Sequence, residues 1–415
     1  MNKTRLSRSA ALIGAAALVG VSLTGCGGTK ETDTSSKGSE NQVTLEVWEY
    51  LGQGVSNEAM EASVAAFEKA NPNIKIKRTS FAYADLSTSI VQGGIGGSLP
   101  DVAIADVVDT QNFASLTLLM DVTDNFAEKS NEFFDGPWSS TQFNGKTVAL
   151  PLNSNNLALY YNKAMFKEAG VEVPTTWQEL HDTGKVLARD GKSALAISAI
   201  KSEQGSFQVL PFVWQTGGDL KNYDKSGAEA LTYLKRLIDD GVMSSSVTNY
   251  TQEDARTQFV TENVAMMING PWELQNLKAE NIDFGVAMLP KGAESATGLG
   301  GENILAFAGS KHPEEAKKFM EFMALGHGTK TYLDKSGQLT ARKDLSGALE
   351  TSKDENMAVF EAQMEYARAR AYGGEYNKIS EAVQISIQAA LTGSSSPEDA
   401  AKTAADTIKP LLPTK

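Results

Sequence analysis

Apolar and polar positions alternate with two different periods from about residue 43 onward. Val43–Trp48 alternates apolar and polar side chains, which predicts a half-buried strand, and Glu58–Ala70 repeats its apolar residues at helical spacing. Asn71–Asn73, which contains a proline, ends that helix. Ile74–Arg78 alternates again, and Pro100–Val108 is a short apolar run typical of a buried parallel strand. This order of strands and helices predicts an α/β sheet.

The same succession of strand and helix patterns continues through the rest of the chain. The predicted strands are Thr147–Leu150, Ala194–Ser198 and Val264–Ile268, and the predicted helices are Ala228–Asp239, Glu314–Leu325 and most of Tyr376–Thr407, with a break at Gly393–Pro397. Four apolar residues within 314–325 follow one helix face and predict core packing: Ala316, Phe319, Met320 and Met323. The sequence contains no internal repeat of about 20–50 residues, which argues against a solenoid.

The N-terminus carries the pattern of an export signal. A basic stretch, Met1–Ser9, precedes the apolar run Ala10–Leu23, whose 14 residues are fewer than the roughly 20 that a transmembrane helix needs. The string Leu23–Cys26 (LTGC) resembles the bacterial lipoprotein box, in which the signal is removed before a cysteine that is then acylated. The sequence therefore predicts a signal peptide over 1–25 and a lipidated Cys26. The alternative is an ordinary secretory signal with an incidental cysteine.

A polar tether follows the predicted anchor over residues 26–42. Gly27–Gln42 contains no apolar side chain, so it cannot offset the entropy of being ordered. No later stretch approaches the length of about 18 consecutive apolar residues that indicates a membrane span. We therefore expect the chain from about residue 43 to be a globular body outside the cell membrane, held at its outer face by the lipid on Cys26.

Composition narrows the classes of function. Acidic residues number 51 and basic residues 38, and the net charge of −13 repels nucleic acid, so we expect no nucleic-acid partner. The single cysteine excludes an internal disulfide and a cysteine-rich metal site. The histidines His181, His312 and His327 lie in polar contexts where we expect surface positions. Neither a metal site nor a cofactor is predicted.

Phosphate-binding and catalytic motifs fail on their spacing. Gly145–Thr147 and Gly191–Ser193 end like a phosphate loop, but Ser140 and Val186 stand where the earlier glycine is required. Acidic residues are abundant, yet a sequence does not tell whether two of them face each other as glycoside hydrolysis requires. We therefore expect a protein that is not an enzyme and keep a surface glycosidase as an alternative.

Eight short strings occur in order along most of the mature chain. They are Phe67–Ile74, Leu99–Val102, Gly145–Leu152, Leu159–Lys163, Val173–Trp177, Met267–Trp272, Val286–Pro290 and Leu339–Lys343. Each is weak alone, but their order and spacing, together with the export signal, are specific. In these strings the chain resembles the family 1 extracellular solute-binding proteins of bacterial ABC importers, the maltose-binding-protein-like group.

This resemblance implies a type II periplasmic-binding-protein-like fold, in which two α/β lobes, each a sheet flanked by helices, enclose a ligand cleft at the hinge. The N-terminal lobe is then 43–152 plus 305–347, and the C-terminal lobe is 156–300 plus 350–415. Ligand binding closes the hinge, and the closed form engages the membrane permease. The implied partners of this monomer are a carbohydrate, with an oligosaccharide favoured, and ABC permease subunits, beyond which lie the ATPase subunits.

The resemblance also implies ligand-binding residues, because a sugar needs aromatic side chains for its apolar face and carboxylates or amides for its hydroxyls. Trp272 matches the family's sugar-stacking tryptophan, and Asp106 ends the PDVAIAD strand, where relatives often place an acidic residue that accepts hydrogen bonds from sugar hydroxyls. Asn155 falls where the maltose binder has an acidic hinge residue. The further candidates are Trp48, Glu49, Tyr50, Tyr83, Glu302, Asn303, Phe207, Tyr372, Tyr376 and Trp214, the last of which is also compatible with a core position.

A second class of ligand stays open within the same family. Glycerol phosphate or another small polar solute is the alternative to a carbohydrate. An anion would need cationic partners, for which Arg370 and Arg342 are the candidates. The acidic and aromatic candidates favour a neutral polyhydroxylated ligand instead.

Overall fold

Two β-sheets organise the part of the chain that the computed structural model describes, residues 42–189 and 191–413. The strands of this part, in chain order, are β1 Val43–Glu49, β2 Ile74–Ser80, β3 Val102–Asp106, β4 Gln142–Phe143, β5 Lys146–Thr147, β6 Leu150–Pro151, β7 Ala158–Asn162, β8 Leu195–Ala196, β9 Met266–Asn269, β10 Phe284–Ala287, β11 Thr297–Leu299, β12 Glu302–Ala306 and β13 Ala367–Ala369. The predicted signal peptide, Cys26 and all but the last residue of the tether lie outside the described residues.

The α-helices cover both faces of the two sheets. In chain order they are α1 Gly54–Ala70, α2 Tyr83–Gly96, α3 Thr110–Ser115, α4 Thr123–Phe126, α5 Asp135–Ser140, α6 Lys163–Ala169, α7 Trp177–Leu187, α8 Glu203–Gln215, α9 Tyr223–Asp239, α10 Gln252–Val260, α11 Glu273–Ala279, α12 Pro313–Ala324, α13 His327–Ser336, α14 Glu355–Gln363, α15 Tyr376–Leu391 and α16 Pro397–Ile408.

The first sheet has the strand order β2-β1-β3-β12-β6 and forms the first lobe. β1 pairs in parallel with β2 and β3, whereas β12 runs antiparallel to β3 and β6. Every residue of β3 and β12 is buried, because α1, α12 and α13 cover one face of the sheet and α2 and α3 cover the other. The predicted strands at 43–48, 74–78 and 100–108 are confirmed. The predicted strand at 147–150 instead divides between β5, in a small hairpin with β4, and β6.

The second sheet has the order β10-β7-β9-β8 and forms the second lobe. Helices α8, α9, α15 and α16 pack on one face, and α10, α11 and α14 pack on the other. The predicted break between the last two long helices is confirmed: Gly393 has a φ of +77°, and the Ser396 side chain accepts a hydrogen bond from the backbone N–H of Asp399 at the start of α16. Pro397 occupies the first turn, where its missing N–H does no harm.

The apolar row predicted on α12, which consists of Ala316, Phe319, Met320 and Met323, packs in the core of the first lobe. All four of its residues are fully buried. The ring of Phe319 packs edge-on against Phe67 of α1, with 4.9 Å between ring centroids. This aromatic contact ties α12 to α1 on the same face of the sheet.

The predicted surface position of His181 is wrong. This side chain on α7 is buried, with Nε2 2.7 Å from Asp240 Oδ2 and Nδ1 3.1 Å from Asp182 Oδ1. Asp240 directly follows α9, so this partner of the imidazole comes from a part of the chain that is distant in sequence. His312 is half-buried and His327 is exposed.

The chain passes between the two sheets in the segments 152–157, 288–301 and 337–354, which connect elements of different lobes. These segments also pair with one another: Asn155 forms a bridge with Gly300, and Ser154 forms one with Leu339. The crossings therefore run side by side rather than as separate linkers. No helix in the described ranges is long and apolar enough to cross a bilayer.

Candidate functional site

A cleft of about 550 Å³ lies between the two lobes, within the range of roughly 300–1,000 Å³ that small-molecule sites occupy. The first lobe lines it with the loop after β1, the start of α2 and the ends of β3 and β12. The second lobe contributes the start of α8 and residues of α10 and α11. Among the predicted ligand-binding residues, seven line this cleft: Tyr50, Tyr83, Asp106, Asn155, Phe207, Trp272 and Glu302.

Two carboxylates and two tyrosines form the first-lobe wall. Asp106 and Glu302 are paired residues of the antiparallel strands β3 and β12, which brings their side chains together. The Tyr83 hydroxyl donates to Asp106 Oδ2 at 2.7 Å, and the Tyr50 hydroxyl donates to Glu302 Oε1 at 2.8 Å. The two tyrosine rings meet edge-on, with 4.9 Å between centroids. Each carboxylate is thus oriented by a phenol that is itself packed.

Glu302 is a buried carboxyl that has a tyrosine partner rather than a cationic one. Burial raises its pKa to about 7, while the hydrogen bond from Tyr50 acts in the opposite direction. Its second oxygen, Oε2, has no hydrogen-bond partner among the described residues. Near neutral pH this carboxyl can therefore either accept or donate a hydrogen bond at the cleft.

Glycines at the second crossing allow its close approach to the first. A Cβ on Gly300 would stand 2.2 Å from Asn155 Oδ1 and 2.9 Å from the tip of the Phe207 ring. Gly301 has a φ of +138°, and a Cβ there would meet the Asn153 carbonyl oxygen at 2.5 Å. Only glycine therefore fits either position. Asn155 lines the cleft, and its Oδ1 has no hydrogen-bond partner among the described residues.

Trp272 lies on the second-lobe wall in a turn with fixed geometry. The turn follows β9: the Asn269 side chain accepts a hydrogen bond from the N–H of Gly270, and the Tyr160 hydroxyl donates to the Gly270 carbonyl at 2.7 Å. The indole folds back over Gly270 so closely that a Cβ would lie 2.0 Å from it. Half-buried Trp272 therefore presents its ring to the cleft from a rigid support.

Arg370 links the two walls at the base of the cleft. Its guanidinium pairs with Glu203 at the start of α8, lies 3.4 Å from Asp106 Oδ1 and sits 4.3 Å from the centroid of the Phe207 ring. Tyr376 donates a hydrogen bond of 2.7 Å to Glu203. The cation therefore holds one carboxylate of the first lobe and an aromatic ring of the second.

A second buried carboxyl stands on the opposite wall. Glu273, at the start of α11, accepts a hydrogen bond of 2.9 Å from Asn276 and lies 3.2 Å from Arg256 Nε. Burial raises the pKa of Glu273 to about 7, and the contacts with Asn276 and Arg256 oppose this shift. The cleft thus has a titratable group on each side.

Six predicted ligand-binding residues lie outside the cleft lining. On β1, Trp48 packs on Phe81 and the buried Glu49 pairs with Arg78 at 2.9 Å. Asn303 follows Glu302 on a strand and so points to the opposite face, where it donates to Thr110 and Ser140. Three others form internal contacts of the second lobe: Trp214 donates to Tyr372, Tyr372 to Asp219, and Tyr376 to Glu203.

Sequence reasoning missed most of the amide and hydroxyl side chains of the cleft. They sit at helix starts and crossings, where no periodic pattern marks them. The missed lining residues with hydrogen-bonding side chains are Gln53, Ser56, Lys201, Ser202, Gln204, Thr251, Gln252, Glu253, Arg256, Glu273, Asn276 and Gln338. Gln338 directly precedes Leu339–Lys343, one of the strings in which the chain resembles the family, and this position is the one signal that could have identified it.

The cleft combines aromatic faces with hydrogen-bond donors and hydrogen-bond acceptors. Trp272 and Phe207 offer rings, Asp106 and Glu302 offer carboxyl oxygens, and the amides offer both donors and acceptors. Such a lining binds a polar molecule that also has an apolar face. Within the described residues, no group of three or more His, Cys, Asp or Glu side chains is placed to hold a metal ion.

Comparison with known proteins places the chain among binding proteins. A family model described as bacterial extracellular solute-binding protein matches residues 62–359. The multiple sugar-binding protein of Streptococcus mutans is 26% identical over 355 residues, covering 80% of this chain and 82% of that protein. The maltooligosaccharide ABC transporter solute-binding lipoprotein of Streptococcus pneumoniae is 25% identical over 368 residues, covering 85% of each.

Solved structures have the same fold. The GacH receptor of Streptomyces glaucescens, solved unliganded and in complex with acarbose, aligns with a TM-score of 0.82 at 26% identity, over 90% of this chain and 99% of that chain. The maltose-bound MalE3 protein of T. maritima aligns with a TM-score of 0.82 at 26% identity, over 89% of this chain and 100% of that chain. These similarities confirm the predicted two-lobe fold.

Proposed function

This chain belongs to the bacterial extracellular solute-binding proteins, and from that premise we propose that it captures a carbohydrate in the interlobe cleft and delivers it to the permease of an ABC importer. An oligosaccharide is the favoured ligand. The observation that carries the proposal is that Trp272 of the second lobe and Asp106 and Glu302 of the first lobe line the same cleft. A sugar presents an apolar C–H face and a rim of hydroxyls, which these groups complement.

The named activities of similar proteins support this ligand class. Relatives at 25–26% identity are a multiple sugar-binding protein and a maltooligosaccharide-binding lipoprotein, and the aligned structures hold acarbose and maltose. The carbohydrate differs among these proteins. The specific sugar of this chain therefore depends on its own cleft residues rather than on its family.

Hinge closure is the proposed mechanism. The lobes are 43–152 plus 305–347 and 156–300 plus 350–415, and a ligand that contacts both stabilises the closed form. Tyr50, Tyr83, Asp106 and Glu302 bind from the first lobe, Phe207 and Trp272 from the second, and Asn155 from the crossing. The closed form then presents both lobes to the permease, while ATP hydrolysis belongs to separate subunits.

Export and anchoring complete the proposal. The signal peptide over 1–25 is removed, Cys26 is lipidated, and the monomeric protein remains at the outer face of the cell membrane. The name lipoprotein carried by the pneumococcal relative supports this reading. Labelling cells with an azido fatty acid should tag the wild type but not Cys26→Ser, and an untagged wild type would contradict lipidation.

Other ligands and activities have weaker support. The two arginines considered for an anionic ligand have acidic partners already: Arg370 pairs with Asp106 and Glu203, and Arg342 pairs with Asp344. We propose no cofactor and no catalysis. Incubation of the purified protein with oligosaccharides should release no product, whereas turnover would favour a glycosidase.

A thermal-shift screen tests the proposed function. The purified mature protein is heated with maltose, maltotriose, raffinose, glycerol 3-phosphate and a tripeptide at several concentrations. A ligand present at 100 times its Kd adds about 2.7 kcal/mol to the free energy of unfolding and raises the melting temperature by several degrees. We expect a sugar to give the largest shift. A larger shift with glycerol 3-phosphate or the tripeptide would replace the carbohydrate in the proposal.

A further inference from the structure

The two lobes touch beside the cleft, where residues 106–115 meet residues 370–377. The first segment ends β3 of the first sheet and forms α3, and the second leads into α15, which packs on the second sheet. Val108 is buried in a hydrophobic cluster whose other buried members belong to the second lobe. A Cβ on Gly374 would lie 3.3 Å from the Cβ of Ser115, so the two backbones approach each other closely. These segments therefore form a direct contact between the lobes.

Asp109 connects elements of both lobes within this contact. Its half-buried carboxyl accepts a hydrogen bond of 2.8 Å from the Ser87 hydroxyl of α2, in the first lobe. It also accepts a hydrogen bond from the side chain of Asn377 on α15, in the second lobe. Asp109 lies outside the cleft lining, so its role is separate from contact with a ligand.

Two more carboxyl groups act on Asp109, one from each lobe. Asp106 lies on β3 in the first lobe, and Glu203 begins α8 in the second. Arg370 pairs with both of these, and no basic side chain in the described part of the chain lies within ion-pair distance of Asp109. If all three carboxyls were ionised, three negative charges would face one positive charge. A proton on Asp109 reduces this repulsion.

The pKa of Asp109 reflects this arrangement. Burial raises this pKa to about 7, and the charges of Asp106 and Glu203 act in the same direction. The hydrogen bonds from Ser87 and Asn377 oppose the rise in the pKa. Separation of the lobes would expose Asp109 to water and remove the charge of Glu203, so its pKa would return towards the ordinary value. An arrangement with the lobes in contact therefore binds this proton more tightly than an open one.

The two walls of the cleft also meet at a second place, which makes the described conformation a closed one. Gly54 begins α1 in the first lobe, and a Cβ there would lie 3.5 Å from Oδ1 of Asn276 on α11 in the second. Both residues line the cleft. The contact around Asp109 thus belongs to a conformation in which the cleft walls touch.

We propose that Asp109 is a proton-sensitive latch between the lobes: its protonation favours the closed conformation, and its ionisation favours opening. This inference goes beyond the proposed function, because it concerns the free protein and depends on no particular ligand. By linkage, the ratio of closed to open molecules falls as the pH rises, since the closed form holds more protons.

The other titratable groups around the latch can be separated from it. Tyr83 and Tyr376 face it from α2 and α15, and burial raises the pKa of both, so they stay protonated in the range tested. The neighbouring guanidinium stays charged throughout. Burial also raises the pKa values of Glu203, Glu273 and Glu302. These carboxyls remain in every variant below, so a comparison of variants isolates the latch.

Distances between spin labels test the latch in the free protein. Glu58→Cys on α1 and Ala279→Cys on α11 place the labels at exposed positions of different lobes, and Cys26→Ser removes the natural cysteine. Pulsed electron paramagnetic resonance then measures the distance distribution at pH 5.5, 7 and 8.5. This labelled protein is the reference for each further variant.

We expect the shorter distance, that of closed molecules, to lose population as the pH rises. The ratio of closed to open molecules should fall by up to about thirtyfold between pH 5.5 and 8.5, the change that linkage gives for a pKa of about 7 in the closed form and an ordinary one in the open form. Asp109→Asn, which cannot ionise, should stay as closed at pH 8.5 as in acid. Asp124→Asn, at an exposed carboxyl of α4, is the matched control and should follow the reference.

Asn377→Asp tests the latch from the second lobe. It places a further carboxyl against Asp109, so the open fraction at pH 7 should exceed that of the reference. An equal pH response of the reference and Asp109→Asn, or a distance distribution that pH does not alter, would overturn the latch. Since the experiment contains no ligand, that result would leave the carbohydrate proposal to be decided by the thermal-shift screen.

Discussion

Arg370 Nη2, in the second lobe, lies 3.4 Å from the Oδ1 oxygen of Asp106, in the first. The arginine is only 4% exposed, and its guanidinium also pairs with Glu203 and covers the ring of Phe207. One buried cation therefore sets the position of a carboxylate and an aromatic ring that both line the cleft. This couples the geometry of the cleft to a contact between the lobes.

Arg370→Met should destabilise the protein strongly. It leaves the buried Asp106 and the half-buried Glu203 without their cation, and breaking a buried pair in this way costs about 3–5 kcal/mol. Arg370→Lys should retain part of this stability but weaken sugar binding, because an ammonium lacks the planar fork that reaches both carboxylates. Urea unfolding and calorimetric titration measure the two effects.

Arg368→Met is the matched control for this prediction. Arg368 lies two residues away, and its ion pair with Glu294 at 2.8 Å is exposed on both sides. Exposed pairs contribute about 0–1 kcal/mol, so this variant should unfold almost like the wild type. Equal stability of the Arg368 and Arg370 variants would contradict the structural role given to Arg370.

Trp272→Ala should leave folding nearly intact and weaken sugar binding by about 2 kcal/mol or more, the scale of a central binding residue. The loss of the stacking face is the reason. Gly270→Ala should have a similar effect on binding, because a Cβ would collide with the indole and displace it. Tryptophan fluorescence should change on sugar addition in the wild type and respond less in Trp272→Ala. An unaltered affinity would show that the ligand lies elsewhere.

Local patterns were sufficient to predict those elements of the fold whose own residues are strongly periodic. Val43–Val47 and Ile74–Lys77 alternate between apolar and polar residues, and the row that includes Phe319 lies on one helix face. The buried side of each of these elements is therefore encoded in its own residues. The predicted strand at 147–150 is instead two short strands, β5 and β6, in the structure. It divides because one end forms a hairpin with Gln142–Phe143 while the other pairs with β12, and these pairings depend on tertiary structure.

The cleft was predictable only in part, because it depends on which residues of distant strands become neighbours. Asp106 meets Glu302 through the register of β3 with β12, and no local pattern encodes that register. The same alternation that brings Glu302 to the cleft turns Asn303 away from it. Trp214 has an aromatic side chain that suits a sugar site, but its helix α8 is buried almost throughout.

Trp214→Ala should separate core packing from ligand binding. This side chain is 1% exposed and packs in the core of the second lobe. Truncating it should cost about 3–5 kcal/mol of stability. At temperatures where the variant is still folded, its sugar affinity should remain within about threefold of the wild type. A large loss of affinity in the folded variant would show that Trp214 contributes to ligand binding.

Stability should depend on pH through Glu302. Burial raises the pKa of this carboxyl to about 7 from an ordinary value of 4.5, so the folded state holds more protons than the unfolded state between these values. By linkage, its contribution to the free energy of unfolding falls as pH rises through this window. Glu302→Gln, which cannot ionise, should therefore lie within ~1 kcal/mol of the wild type at pH 5 and exceed its stability by up to ~3 kcal/mol near pH 8.

Urea unfolding at pH 5, 6, 7 and 8 measures this difference, with the exposed Glu58→Gln as control. The groups facing Glu302 are Tyr50, Asn153 and Asp106, and all three are present in the wild type and in Glu302→Gln. The pH dependence of the difference in unfolding free energy between these two proteins therefore reports the ionisation of Glu302. Asp109 and Glu273, whose pKa values burial also raises to about 7, titrate in both and cancel. A constant difference across this pH range would mean that Glu302 ionises in the folded protein as easily as in the unfolded chain. That result would contradict the effect of burial on this carboxyl.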